Sequence, residues 1–342
     1  MRIKNYIFWI SLCFSLTATA QDPHFSQVIN TPVLLNPALT GVMGTDARIQ
    51  TNYRTQWATV ATPYQTMSLA VDFSPLRYMF NTDDILGIGM YVLRDKAGTS
   101  ELSNTQVQMS LAYSKSLTGQ GNNYLSIGGQ VGYAHQNLNL QNLTFDNQIE
   151  GNVLNTSLSS GETSIVPNGA YWDVSAGIGW AYTPEKSQSY YLGASVYHLN
   201  EPKVGFMEDD TELLYRKYTA YAGSEFRLNY LVSLMPRSYF LMQGPAKELT
   251  AGSLVKFNIE NGRNRYDSSA FILGTLYRFG DAVIIVARYD FKTFGISFSY
   301  DVNISGLNPI SRGYGAMEVG LVFKTELSQK RRNGRPLNCP NF

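Results

Sequence analysis

Residues 294–301 read Phe-Gly-Ile-Ser-Phe-Ser-Tyr-Asp, and residues 316–323 read Ala-Met-Glu-Val-Gly-Leu-Val-Phe. In both segments an aromatic or aliphatic side chain occupies every second position. A period of two residues is typical of a β-strand with one apolar face. The breaks around Gly280 and at residues 290–292 leave room only for tight turns. The region 269–323 is therefore predicted to be an antiparallel meander of strands.

The same alternation extends back along most of the chain. Together with the final meander, it predicts about fourteen strands of about ten residues, the even number and the length of an outer-membrane β-barrel. Pro236 makes the strand around it one of the least regular. The strands before the meander are predicted at residues 48–57, 65–73, 85–94, 104–115, 124–137, 171–183, 189–198, 217–228, 231–243 and 247–260.

A soluble β-sandwich is the main structural alternative, because its strands alternate as well. Strands in globular proteins average about five or six residues, whereas many here are about twice that length, as a tilted bilayer crossing requires. Tyr and Trp also gather toward the predicted strand ends, where aromatic girdles lie at membrane interfaces. The sequence therefore favours an all-β fold with a single antiparallel transmembrane β-barrel over residues 47–323.

Connection lengths give a second indication of a barrel. The long gaps at residues 138–170, 199–216 and 302–314 follow the fifth, seventh and thirteenth predicted strands. Connections after odd strands emerge from one rim, and outer-membrane barrels carry their long loops on the outer rim. An even strand count then predicts that both termini lie in the periplasm and that the protein is integral to the outer membrane.

The start of the chain has the pattern of an export signal. A basic start, an apolar run over residues 6–16 and a final Ala-Thr-Ala predict a secretory signal peptide over residues 1–20 and a mature chain that begins at Gln21. A lipoprotein signal that uses Cys13 is a poor alternative, because the bulky Leu12 precedes the cysteine.

Composition excludes several classes of protein. The formal net charge of +1 gives no argument for a nucleic-acid partner. Removal of the signal leaves Cys339 as the single cysteine, so no internal disulfide is expected. The mature chain has no apolar run of about eighteen residues, which excludes helical membrane spans.

The two ends of the mature chain differ from the barrel region. Residues 21–46 contain Pro23, Pro32 and Pro37 among apolar side chains. Proline lacks the amide donor that a central strand needs, so this segment is predicted to be an irregular leader that plugs the periplasmic mouth or the interior of the barrel. Residues 324–342 are predicted to be a basic periplasmic tail that docks an acidic partner or lipid phosphates or remains solvated.

Side chains that carry catalysis or hold a cofactor are sparse. The histidines His24, His135 and His198 show no Ser/His/Asp or Cys/His spacing. Glycines such as Gly87 and Gly128 alternate inside strands with no following helix, so they are predicted to relieve crowding on the lumen face and not to bind phosphate. The sequence predicts no enzyme, no metal site and no cofactor.

Several short motifs carry a resemblance to a known family. They are Asp22-Pro-His-Phe-Ser-Gln27, Leu35-Asn-Pro-Ala-Leu-Thr-Gly41, Tyr277-Arg278, Glu318 and the final Cys339-Pro-Asn-Phe342. With these motifs the chain resembles the PorP/SprF family, outer-membrane proteins attached to the type IX secretion and gliding machinery of Bacteroidetes. Met317 stands where the family often has His, and Asn341 stands where Arg is usual. These two departures leave the subfamily, and with it the secreted client, open.

The resemblance implies a barrel that helps particular adhesins or surface proteins reach or stay on the cell surface. It also implies contact with the periplasmic ring, lipoprotein and translocon components of the secretion system, in addition to outer-membrane lipid. The residues expected to contact partners are Asp22, Pro23, His24, Phe25, Ser26, Gln27, Asn36, Pro37, Arg331, Arg332, Cys339, Pro340 and Phe342.

Two functions from different classes remain open at this point. The first is a non-enzymatic interaction protein of the secretion machinery. The second is a porin or small-substrate channel, because polar strand faces such as Arg48, Gln50, Asn52 and Arg54 can line an aqueous path. About fourteen strands also enclose a lumen that side chains alone do not fill.

Overall fold

The computed structural model describes residues 22–60, 62–75, 83–118, 121–151, 153–155, 157–161, 165–185, 187–207, 212–259 and 269–325. Over these residues the chain forms one closed antiparallel barrel of fourteen strands, which confirms the predicted fold class. The strands are β1 (Ala47–Gln56), β2 (Tyr64–Phe73), β3 (Ile85–Ala97), β4 (Leu102–Ser116), β5 (Asn123–Asn137), β6 (Asn168–Glu185), β7 (Gln188–Tyr197), β8 (Lys217–Arg227), β9 (Val232–Gln243), β10 (Ala246–Asn258), β11 (Ser269–Arg278), β12 (Ala282–Phe291), β13 (Phe294–Asn303) and β14 (Tyr314–Thr325).

The barrel closes between its first and last strands. β1 pairs with β14 in antiparallel register, with Ile49 opposite Phe323 and Arg54 opposite Glu318. Pro236 lies within β9 and opposite Ser253 of β10. On the β8 side the pairing is interrupted next to the proline, between the Gly223–Arg237 and Phe226–Leu234 pairs, while the register stays the same. A proline without an amide donor is accommodated in this way at an interrupted ladder.

The two faces of the strands have opposite chemistry. On β1 the side chains of Arg48, Gln50, Asn52 and Arg54 point into the lumen and are buried. On the outer face apolar side chains are exposed, and Met109 is the example with 63% of its surface accessible. Aliphatic residues that face outward on other strands include Leu69, Leu111, Ile127, Ile178, Leu192, Ile285 and Leu321. A polar interior with an apolar outer band is the pattern of a transmembrane barrel.

Connections define two rims. The near rim is where β1 begins at Ala47 and β14 ends at Thr325, and the far rim is the opposite one. The two longest connections, 138–167 and 198–216, both lie at the far rim as predicted. However, the near-rim connections 74–84 and 259–268 are as long as the far-rim connection 304–313. The predicted sorting of long loops therefore holds only for the longest two.

Helical structure is limited to short segments. The leader contains the 3-10 turns Val28–Asn30 and Pro37–Leu39 on either side of α1 (Pro32–Leu35), and α2 (Asn308–Ser311) lies in the last far-rim loop. Across the described part of the chain, no helix is long and apolar enough to cross a membrane.

The leader runs through the barrel from one rim to the other. Asp22 contacts His198 and Lys217 at the far rim, whereas the amide of Asp46 donates a hydrogen bond to the carbonyl of Thr325 at the near rim. Asp22 and Thr325, the two ends of the described chain, therefore lie at opposite rims. The prediction that both termini are periplasmic counted strands only and did not include this additional crossing, so the described residues do not support it.

Candidate functional site in the barrel lumen

The leader begins in a charged cluster at the far rim. The Asp22 carboxylate accepts a hydrogen bond from Lys217 Nζ at 2.6 Å and from His198 Nε2 at 2.8 Å, and the Asp22 amide donates to Gln243 Oε1 at 2.8 Å. Burial raises the pKa of Asp22, but the positive charges of Lys217 and His198 outweigh it and hold this pKa well below its usual range. Asp22 is therefore a carboxylate clamped by two cations.

His198 is the centre of this cluster. It has a positive φ of 58° immediately after β7, and its Nδ1 donates to Asp173 Oδ1 at 2.9 Å while its Nε2 contacts Asp22. Burial lowers the pKa of His198, yet the two carboxylates prevail and raise it to about 9. The imidazolium thus joins the leader to β6 at neutral pH. No group of three or more His, Cys, Asp or Glu residues is placed to hold a metal ion in the described ranges.

His24 and Phe25 of the leader point toward the barrel wall. His24 Nε2 lies 3.2 Å from Glu248 Oε2 of β10. Burial, aided by nearby Arg278 and Arg54, lowers the pKa of His24 to about 4 although Glu248 raises it, so His24 is neutral at pH 7. Phe25 is buried in an apolar cluster whose other members are Val33, Ala70, Tyr91 and Leu93. These contacts fix the leader against β2, β3 and β10.

Ser26 connects the leader to a buried ionic network. Its amide donates to Glu318 Oε2 at 2.8 Å, and its hydroxyl donates to Asp301 Oδ2 at 2.7 Å. The guanidinium groups of Arg54 and Arg278 both donate to the Ser26 hydroxyl oxygen. The same two arginines bind Asp301 at 3.1 Å and 3.0 Å. A buried charge is tolerated only when it is paired and hydrogen-bonded. In this network the backbone amide of Ser26 provides one of the hydrogen bonds that the Glu318 carboxylate needs.

The middle of the leader lies against strand glycines. The Asn36 side-chain amide donates to the carbonyls of Ile178 and Ala194 at 2.8 Å and 3.2 Å. A Cβ atom on Gly128 would lie 2.5 Å from the carbonyl carbon of Pro37. A Cβ atom on Gly87 would overlap the carbonyl of Thr40. Gly87 and Gly128 face the lumen as predicted, and the crowding that they relieve comes from the leader backbone. At Gly132 and Gly193 the crowding comes from neighbouring strands of the barrel.

The leader leaves the lumen beside a buried ion pair at the near rim. Arg48 of β1 binds Asp72 of β2 in a bidentate manner, at 2.9 Å and 2.7 Å, and each side chain is 1% exposed. Asp72 also accepts a hydrogen bond from the Gly41 amide at 2.9 Å. Gly41 has a positive φ of 71°, a conformation in which glycine is favoured. The Arg48–Asp72 ion pair thus joins β1 to β2 and also binds the leader at Gly41.

A large cavity opens at the far rim above the leader, and we call it the vestibule. Its volume is about 670 Å³. Asp22, Pro23, His24 and Phe25 form its floor, and aromatic, acidic and basic side chains of the strand ends form its walls. These wall residues include Trp57, Tyr64, Tyr91, Asp95, Tyr197, His198, Lys217, Lys247, Glu248, Arg278, Phe279 and Asp281.

The predicted contact residues thus separate into three groups. Asp22, Pro23, His24 and Phe25 reach the vestibule. Ser26, Gln27, Asn36 and Pro37 are buried against the chain's own barrel. Arg331, Arg332, Cys339, Pro340 and Phe342 lie outside the described residues.

Sequence reasoning noted Arg278 and Glu318 as motif residues but did not predict the lumen network, whose strand residues are Asp173, Glu248, Arg278, Asp301 and Glu318. A usable signal was present for some of them. Asp301 and Glu318 are charged residues at the lumen-facing positions of strongly alternating strands. A charge at such a position needs a partner inside the barrel. Ser26 of the leader is one of these partners, because it donates hydrogen bonds to Glu318 and Asp301.

Comparison with known proteins identifies the family. The family described as "Type IX secretion system membrane protein PorP/SprF" matches residues 17–323, which is most of the chain. The chain belongs to the PorP/SprF family. The resemblance in the leader and strand motifs is therefore confirmed, and membership together with the barrel fold gives an integral outer-membrane location.

Solved structures similar to this PorP/SprF protein are other barrels. The monoaromatic hydrocarbon channel CymD has 10% identity and a TM-score of 0.46 over 87% of this chain and 93% of its own. A FadL homologue of Pseudomonas aeruginosa has 10% identity and a TM-score of 0.46 over 84% and 92%. The toluene transporter TodX of P. putida has 8% identity and a TM-score of 0.46 over 87% and 94%. No curated protein sequence matches this chain.

Proposed function

We propose that this PorP/SprF protein is a non-enzymatic component of the type IX secretion machinery whose vestibule receives a segment of an exported adhesin or surface protein. The observation that carries the proposal is the leader, which crosses the lumen and is bound to the wall at both rims and in between. A lumen occupied in this way favours docking on the barrel over free diffusion through it.

The two longest loops support one orientation of the barrel in the membrane. The two longest connections, 138–167 and 198–216, lie at the far rim, and outer-membrane barrels carry long loops on the outer side. In this orientation the vestibule faces the cell exterior, where a surface protein is retained. The near rim, from which the basic tail continues beyond Thr325, faces the periplasmic ring and lipoprotein components.

The docking proposal is tested on a vestibule residue that the fold does not need. Phe279 lines the vestibule and is 56% exposed. We expect Phe279→Ala to reduce the amount of secreted client that co-purifies with the tagged protein from its native membrane by several-fold. Leu307→Ala is the matched control, because Leu307 is 41% exposed in a far-rim loop and is not among the vestibule wall residues. Equal recovery of client with both variants would contradict docking at the vestibule.

A porin or small-substrate channel is the second candidate, since the vestibule is wide enough for a solute. Single-channel conductance of the purified protein separates the two functions. We expect the intact protein to stay closed, and Ser26→Pro, which removes the amide donor to Glu318, to produce openings. A steady open conductance of the unmodified protein would support the channel and contradict the closed barrel.

A further inference from the structure

A second cavity lies inside the barrel on the opposite side of the leader from the vestibule. It has a volume of about 100 Å³ and extends along β9 to β14. Its outer end reaches the near-rim turn at Lys292 and Thr293, and its inner end reaches Ser26 and Gln27 of the leader. We call it the near-rim cavity.

The charge around the near-rim cavity is strongly one-sided. The basic residues that line it are Arg237, Lys256, Arg288, Lys292 and Lys324, and Asp290 is the acidic residue among its lining residues. Asp290 binds Arg288 at 2.7 Å, and Glu225 lies 3.6 Å from Lys256. Among the described residues, basic side chains around this cavity therefore outnumber carboxylates. Such an excess of like charge inside a barrel is unfavourable unless an anion offsets it.

Arg237 gives an independent indication of a missing partner. Its side chain lines the cavity, and the residue is 8% exposed. Its Nε atom is buried without a hydrogen-bond partner among the described residues. A buried donor that remains unsatisfied is unfavourable, so a ligand that accepts a hydrogen bond from Arg237 removes this cost on binding.

Away from the basic residues and the polar leader residues Ser26, Gln27 and Asn30, the cavity wall is largely apolar. Met235, Leu254, Ile272 and Val286 line it and are buried. By the measure in which one water needs about 10–15 Å³, the cavity holds on the order of seven to ten water-sized groups. This volume is suited to a narrow unbranched chain of about that many carbon atoms, with its charged end among the basic residues.

We propose that the near-rim cavity is a binding site for an anionic amphiphile, a carboxylate or phosphate carried on a single medium-length alkyl chain. The anion contacts Arg237 and Lys256, and the chain lies against Leu254 and Val286. The leader closes the inner end of the site at Gln27 and Val28. A ligand bound there is therefore enclosed by the barrel wall and the leader together.

The test uses the full-length protein, folded in an uncharged detergent, and octanoate as the probe. We expect saturable binding with one octanoate per barrel and at least tenfold weaker binding of both acetate and octylammonium. Octyl phosphate distinguishes the head group, because tighter binding than octanoate indicates a phospholipid-like ligand and weaker binding indicates a fatty acid. Equal association of octanoate and octylammonium would show partition into detergent only and would overturn the proposal.

Substitutions inside and outside the cavity test whether octanoate binds there. We expect R237Q/K256Q to weaken octanoate binding at least tenfold, whereas Lys115→Gln, which removes an exposed near-rim cation outside the cavity, leaves it unchanged. Ala270→Leu fills the apolar wall without a change of charge and is also expected to weaken binding. Heat-modifiable mobility on a gel verifies that each variant is folded. Unchanged binding in folded R237Q/K256Q and folded Ala270→Leu would contradict the site.

Discussion

The two ends of the leader are attached to the barrel by different physical means. At the far rim, Asp22 is held by the charged groups of His198 and Lys217 beside an open vestibule. Toward the near rim, Asn36 and Pro37 are held by neutral hydrogen bonds and by backbone that packs directly on strand glycines. The first kind of contact changes with pH and salt, whereas the second depends on shape. The far end is therefore the part of the leader that can be released without unfolding the barrel.

The largest effect is expected where a buried charge also holds the near end. Arg48→Met leaves Asp72 buried without its bidentate partner, and breaking such a pair costs about 3–5 kcal/mol. We expect a lower free energy of unfolding in urea for the detergent-folded barrel. The double variant R48M/D72L removes both charges and is expected to recover much of the loss. A single variant as stable as the unmodified protein would show that this pair does not anchor the near end.

A smaller loss of stability is expected from one methyl group in the packed region. Gly128 and Gly129 are neighbours on β5, but a Cβ atom at Gly128 would meet the backbone of Pro37 and Ala38, whereas one at Gly129 would lie 3.7 Å from its nearest neighbour, the Ser175 carbonyl oxygen. Overpacking costs about 1–3 kcal/mol, so we expect Gly128→Ala to lower the free energy of unfolding by that amount.

Gly129→Ala is the matched control for Gly128→Ala. It adds the same methyl group to the same strand on the outer face, where alanine avoids part of the entropy cost of glycine. We expect its free energy of unfolding to be unchanged or slightly higher. Equal losses of unfolding free energy in the two variants would mean that glycine is needed at these positions because of strand geometry and not because of contact with the leader.

The sequence was sufficient for the barrel because hydrocarbon imposes a strict rule on each strand. Apolar side chains at every second position, as in 294–301, report directly which face meets lipid. The prolines at positions 23, 32 and 37 likewise excluded a strand for the leader. These are local constraints, and the described strands follow them closely.

The lumen contacts were not predictable in the same way, because they join residues far apart in the chain. Ser26 meets Asp301 and Glu318 only after the barrel has closed. The path of the leader from the far rim to the near rim also depends on which glycines leave room for its backbone. An interior crossing leaves no periodicity of its own, so a strand count could not reveal that Asp22 and Thr325 lie at opposite rims.

At the far end a single substitution should act locally. Asp22→Asn removes the charge that holds His198 and Lys217, and a hydrogen bond to a charged group contributes about 1.5–3 kcal/mol. We expect amide exchange of residues 22–25 to increase by about tenfold or more, with exchange of residues 36–41 unchanged. A uniform increase over both segments would show that the leader opens as one unit and would remove the contrast between its ends.

The smallest effect is expected from pH alone, because a neutral His198 still offers one hydrogen bond. The pKa of His198 in the folded protein, about 9, is above its usual value of 6.5. Its stabilising contribution is therefore complete below about pH 6.5 and is lost as the pH rises through about 9. The pKa of Asp22 is depressed, so its contribution is present above about pH 4 and is lost as the pH falls through the lower folded value.

These two shifts define a pH window in which the far end is held. A spin label at Pro23, introduced as Pro23→Cys in a Cys339→Ser background, reports the mobility of the leader in that window. We expect mobility to rise between pH 8 and pH 10 in this protein, and His198→Gln to be more mobile already at pH 7 and to show a smaller rise. If the label at residue 23 shows no rise in mobility between pH 8 and pH 10, the charge of His198 does not hold the far end of the leader.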